Sequence, residues 1–103
     1  MNHFVYWCED IEDNERATQI RREQLVAHLH YVERNVERYA VAGPNRHGDG
    51  AYHSSTFIIA AASLEEADAL MTADPYVAAG LYRVVRGMEF VPAAGQWIGG
   101  ITW

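Results

Sequence analysis

Ala73-Asp74-Pro75-Tyr76-Val77-Ala78-Ala79-Gly80 is the stretch on which the reading of this chain turns. Asp is a good helix N-cap, Pro suits the first helical position, and Gly suits the position just past a helix end. Pro75 to Ala79 therefore reads as one short helical turn capped at both ends. The residue before a proline is driven out of the helical region. Asp74 is thus expected to end one helix and begin the next, with its carboxylate at a bend. Such a carboxylate either serves only as a cap or also lines a pocket.

Upstream, Ser63-Leu64-Glu65-Glu66 has the form of a capping box. The helix it opens carries Leu64, Ala67, Leu70 and Met71 inward and stops at Asp74. Ser54 to Ala60 reads as a strand apolar on both faces, and His3 to Glu9 as another, hence a central one. Tyr39 to Pro44 reads as a short strand closed by Gly-Pro, and Asn45 to Gly50 as a turn-rich loop. Leu81 to Val91 is the last long strand. Ala93 to Trp103 is an apolar, Gly-rich tail with Trp97 and Trp103, whose rings suit core or dimer packing better than a ligand stack.

Glu15 to about Tyr39 reads as a long amphipathic helix whose stripe is Leu25, Leu29, Val32, Val36 and Tyr39, with Ala17 and Ile20 upstream. With Leu25 at zero and about 100° per residue, His28 falls roughly 60° away on the stripe's edge, and His30 roughly 140° away in solvent. Arg21 lies on the His28 edge, two turns earlier.

The order β-α-β-β-α-turn-β predicts an α+β, ferredoxin-like fold: a four-stranded antiparallel sheet with two helices on one face. Two helices leave the other face bare although its strands are apolar on both sides. A homodimer packed sheet on sheet is the economical cover.

The 103 residues suit a single domain spanning 1–103, and 50% hydrophobic content supports a core. A net charge of −6 argues against nucleic acid and anionic membranes as partners. All eight basic residues are Arg, for which the sequence offers no functional reason. A lone Cys8 excludes an intrachain disulfide and fits a reducing compartment. No apolar run approaches a membrane span and the start lacks signal-peptide character, so a cytoplasmic protein is expected.

No phosphate loop, dinucleotide fingerprint, paired-Cys metal spacing or nucleophile elbow occurs, so no cofactor is expected. The candidate chemistry is His28 with Asp74. Histidine moves protons near neutral pH, and a carboxylate on one ring nitrogen fixes its tautomer. The two helices run antiparallel, so the end of the second returns toward the first. Residues alone leave a plainer reading open for each: a boundary histidine bonded to a backbone carbonyl, and an aspartate that only caps. His28 and His30 lie on different helix faces, and His47 and His53 flank a flexible loop, so a shared metal ion is not expected. Cys8 reads as a small core residue.

The chain resembles the YCII-like (YciI) family of small dimeric α/β-barrel proteins. The resemblance rests on Tyr6 and Asp10, Arg21 before His28-Leu29, Ala42-Gly43-Pro44, Ser55 with the strand after it, Ser63-Leu64-Glu65, and above all Ala73 to Gly80. It extends nearly to Phe90. The family's characteristic histidine and aspartate map onto His28 and Asp74, and its members are regarded as candidate enzymes. One class is similar to dehydrochlorinases of chlorinated-aromatic breakdown, and the fold is shared with lactone isomerases. The resemblance implies proton transfer by a His28–Asp74 dyad on a small cyclic or aromatic molecule, with Arg21 and Ser55 as substrate contacts, in a homodimer. A non-catalytic dimeric ligand-binding module is the other reading. Two positions depart from the common pattern: Leu25 where many members carry Arg, and Ser54 where many carry Gly.

Overall fold

The computed structural model describes residues 1–102. It contains β1 (Asn2–Asp10), α1 (Asn14–Arg34), β2 (Tyr39–Arg46), β3 (Tyr52–Ala61), α2 (Leu64–Thr72), α3 (Pro75–Ala78) and β4 (Tyr82–Phe90). The four strands form one antiparallel sheet in the order β2-β3-β1-β4. This is an α+β architecture consistent with the expected ferredoxin-like order. β1 is central, pairing Tyr6 with Phe57 on one side and with Gly87 on the other.

Period-two alternation puts Phe4, Tyr6, Cys8 and Asp10 on one side of β1, and all four are buried. Phe4, Tyr6 and Cys8 pack with Phe57 and Ile59 of β3 and with Ala67, Leu70 and Met71 of α2. Each such large side chain contributes on the order of 1.5–3 kcal/mol by leaving water. The Tyr6 ring lies where a side chain on Gly87 would be, so the β1–β4 pairing needs glycine at that position. The Tyr6 hydroxyl reaches past the ring to donate to Asp68 on α2 at 2.5 Å.

The stretch around Asp74 folds as its residues dictate. Asp74 has extended backbone angles (φ −65°, ψ 129°), as a residue before proline should, and its side chain caps α3. Gly80 closes the turn at φ +81°, a left-handed conformation costly for any residue with a Cβ. Ser63 caps α2 by accepting from the Glu66 N–H at 3.1 Å.

Four expectations are corrected. α1 stops at Arg34 rather than near Tyr39. Asn35 turns back on it, its backbone N–H and side-chain amide both donating to the Tyr31 carbonyl, and Val36–Arg38 form a short 3₁₀ turn. Tyr39 instead begins β2 and packs on the sheet core. Second, α1 is rolled about its axis. Its inward line is Ala17, Ile20, Gln24, His28 and Tyr31, while Leu25 and Leu29 are 44% and 53% exposed. The hydrophobic stripe thus flanks the contact line instead of forming it. Third, Leu64 is exposed, because the first residue of α2 precedes the turn that meets the sheet. Fourth, β2 runs through Gly43-Pro44 to Arg46, since an edge strand tolerates a proline without an N–H to donate. Beyond β4 the tail forms a small hairpin, β5 (Ala94–Gly95) and β6 (Gly100–Ile101), joined through Gln96–Ile98. Trp97 is 85% exposed there, so it is not a core residue; Trp103 lies outside the described residues.

Candidate active site

Asp74 is fully buried, and its position is set by the backbone bend rather than by a mobile side chain. Its Oδ1 accepts the Tyr76 backbone N–H at 2.9 Å and lies 2.8 Å from Nδ1 of His28. One oxygen therefore caps the helical turn and holds the imidazole at once. A carboxylate only accepts, so Nδ1 carries the hydrogen of this bond and Nε2 is the ring's acceptor atom. The other oxygen, Oδ2, is buried without a hydrogen-bond partner among the described residues. The Asp74 carboxylate is thus held by donors on one oxygen alone.

His28 reaches Asp74 because α1 is rolled with His28 on its inward line. The imidazole lies flat against the Tyr76 ring, 3.9 Å between centroids and 11° between planes. It forms part of the wall of a cavity of about 560 Å³ between α1 and the β2–β3 side of the sheet. Leu25, Leu29, Val32, Pro44 and Phe57 make much of that wall apolar. Such a cavity suits a small, largely apolar ligand oriented by a few polar groups.

Arg21 and Ser55 also line the cavity, but both already have partners. The Arg21 guanidinium makes a two-pronged pair with Asp10, Nε to Oδ2 at 2.9 Å and Nη2 to Oδ1 at 2.8 Å. The Arg21 charge is thereby largely offset by Asp10. The Ser55 hydroxyl accepts from Tyr82 at 3.2 Å. Burial pushes the Tyr82 hydroxyl well above the ordinary phenol range, so it stays a donor at neutral pH.

Three residues of this site carried no assigned role in the sequence reading. Asp10 was expected just past a strand ending at Glu9; it belongs to β1, and the period it shares with Phe4, Tyr6 and Cys8 is the signal that could have found it. Tyr76 sits inside the stretch already singled out for its caps. Tyr82 comes just past the Gly80 turn, and no local pattern points to it. His47 and His53 lie elsewhere, at the β2–β3 hairpin, bonded to Ser54 and Asp49. Among the described residues no group of three or more His, Cys, Asp or Glu side chains is placed to hold a metal ion. A larger cavity, about 650 Å³, opens between the sheet and the tail hairpin, but among the described residues His3 is its only titratable lining side chain. We therefore place the candidate chemistry in the smaller cavity.

The chain matches the YCII-related domain over residues 3–91 and belongs to that family. The tail hairpin lies outside the match. Among solved structures, the chain is similar to 5-chloro-2-hydroxyhydroquinone dehydrochlorinase (TftG) from Burkholderia phenoliruptrix AC1100, in complex with 2,5-dihydroxybenzoquinone. The two are 24% identical, with a TM-score of 0.77 over 91% of this chain and 96% of the other, a likeness that establishes a shared fold. Protein Atu4242 from Agrobacterium tumefaciens aligns over 90% of this chain and 94% of its own at 14% identity and a TM-score of 0.46. No curated protein matches the chain.

Proposed function

We propose that this protein is an enzyme that moves a proton on a small hydroxylated ring, with His28 as general base and acid and Asp74 as the group that orients it. The observation that carries this reading is the 2.8 Å contact between His28 Nδ1 and a fully buried carboxylate, on the wall of a mostly apolar cavity. Nε2 takes the proton, and the ring then becomes a cation beside the Asp74 carboxylate. The likeness to a dehydrochlorinase supports loss of HCl as the reaction. In that step Nε2 accepts a proton from the substrate, the released electron pair forms a new π bond, and the C–Cl bond breaks as chloride leaves with its pair. Arg21 is already matched by Asp10, and Ser55, which accepts from Tyr82, keeps its own hydroxyl hydrogen to donate, which favours a neutral or phenolic ring over a strongly anionic substrate.

The enzyme is read as a homodimer in which two helices cover one sheet face and the partner covers the other, in the manner of a dimeric α/β barrel. The support is the side of the sheet that carries Val5, Trp7, Ile58, Met88 and Phe90, of which Trp7, Met88 and Phe90 are exposed.

A binding module without turnover is the second reading. It is favoured by the prior pairing of Arg21 with Asp10 and of Ser55 with Tyr82, which ties up polar groups of the cavity wall before any ligand arrives. Chloride release from 5-chloro-2-hydroxyhydroquinone decides between them. His28→Gln and Asp74→Asn are each expected to cut kcat/KM by about 10²-fold or more. Asp74→Asn retains much of the capping ability, so its effect reports on the carboxylate. Tight binding of the ring compound by wild type and by His28→Gln alike, with no chloride released, would establish the module instead.

A further inference from the structure

We propose that Tyr76 is a positioning residue that fixes the plane of the His28 imidazole, an inference that rests on the proton-transfer reading of this site. Three contacts converge on Tyr76. Its backbone N–H donates to Asp74 Oδ1 at 2.9 Å, the same oxygen that lies 2.8 Å from His28 Nδ1. Its ring stacks on the imidazole at 3.9 Å and 11°. Its hydroxyl donates to the Arg21 carbonyl at 3.3 Å, two turns before His28 on α1. The Arg21 guanidinium stands 5.7 Å from the ring centroid and is itself tied to Asp10.

A single hydrogen bond at Nδ1 fixes one point of the imidazole. The ring can still swing about that bond, and Nε2, on the far side of the ring, sweeps an arc when it does. A parallel aromatic face removes that freedom. Asp74 therefore sets where the ring is anchored, and Tyr76 sets which way Nε2 points. The hydroxyl anchor on α1 keeps the Tyr76 ring registered with the helix that carries His28. Displacement of a reacting atom by about 1 Å is enough to cost on the order of 10²-fold in rate. A positively charged ring also favours an aromatic face, so the stack persists when His28 is protonated.

A merely space-filling Tyr76 makes different predictions. On the positioning reading Tyr76→Phe, which keeps the flat ring and loses only the hydroxyl anchor, should keep the upfield displacement of the His28 ring protons and lower kcat less than Tyr76→Leu does. Tyr76→Leu keeps the apolar bulk and the backbone N–H but has no flat face. It should lower kcat for chloride release by about 10-fold or more with KM little changed. NMR supplies the readout that does not depend on turnover. In wild type the His28 ring protons should be displaced upfield by the Tyr76 ring, and the ring nitrogens should report one tautomer with hydrogen on Nδ1. In Tyr76→Leu the His28 ring should gain motion, read as a lower order parameter for its ring C–H bonds, while the Nδ1–H tautomer set by Asp74 persists and the remaining backbone spectrum is unchanged; Tyr76→Met serves the same purpose if the leucine variant does not fold. Unshifted His28 protons in wild type, or a leucine or methionine variant with the wild-type ring order parameter, would overturn the proposal. Absence of chloride release with the ring signatures as expected would sink the dehydrochlorinase reading and leave the positioning role standing.

Discussion

At the scale of single residues, burial decides the chemistry of each group. Cys8 is the plainest case. Burial, with the charges of Asp74 and Asp10 behind it, pushes its thiol from an ordinary 9.0 to about 12. The folded chain thus holds this proton more tightly than the unfolded chain does. The stability that follows is complete below pH about 9 and is lost as pH rises from about 9 toward about 12, at up to about 1.4 kcal/mol per pH unit. The tyrosines Tyr6, Tyr39 and Tyr82 shift the same way, chiefly through burial, so alkaline loss alone does not isolate Cys8. Urea denaturation of wild type and Cys8→Ala at pH 7 and pH 10 separates them. Wild type should lose up to about 1.4 kcal/mol more than the variant over that interval. Equal losses would show that the thiol does not contribute.

At the scale of elements, capping carries much of the argument. Ser63 and Asp74 are both N-caps by geometry, accepting from Glu66 N–H and Tyr76 N–H. Only Asp74 has a second task on the same oxygen. Ser63→Ala should therefore cost about 1 kcal/mol of stability and leave chloride release unchanged, whereas Asp74→Asn should do the reverse. Thermal unfolding and turnover measured on both variants check the contrast. A loss of turnover in Ser63→Ala would mean that α2 must be fully ordered to present Asp74. The roll of α1 matters at this scale too. Leu25 and Leu29 lie on the cavity wall, so the apolar stripe of this helix serves ligand enclosure as well as packing.

At the scale of the whole molecule, one side of the sheet is packed and the other is met only in part, by the tail hairpin across a cavity at His3, Ile58 and Phe90. Alternation along β1 and β4 places Val5 beside Met88, and His3 beside Phe90, on that second side. A stable association there needs roughly 1,200–2,000 Å² of buried surface in total. Sedimentation at micromolar concentration should show twice the chain mass, and Met88→Glu should shift the population toward monomer by burying an unpaired charge. A wild-type monomer would assign cover of this side to the tail hairpin, whose Trp97 is otherwise left to solvent. Among the described residues, no helix is long and apolar enough to cross a membrane.

What the sequence determined by itself was local: the extended Asp74 before Pro75, the left-handed Gly80, the Ser63 cap and the apolar run that makes β1 a central strand. These follow from backbone sterics, missing or surplus hydrogen bonds and the hydropathy of a short run, all of which act over a few residues. The element order was legible for the same reason, since caps and periods mark each element's ends. Tertiary structure alone decided the roll of α1, the end of that helix at Asn35, and the partners of Arg21 and Ser55. A helix whose apolar residues outnumber its contact line can settle at more than one angle, and only the surfaces of the sheet, α2 and α3 select one. Asp10 and Arg21, Tyr82 and Ser55, and Tyr76 and His28 are distant in sequence, so no local pattern links them. Their pairings exist because the fold brings the middle of α1, the start of α3 and the strands β3 and β4 to one cavity, with Asp10 of β1 behind Arg21.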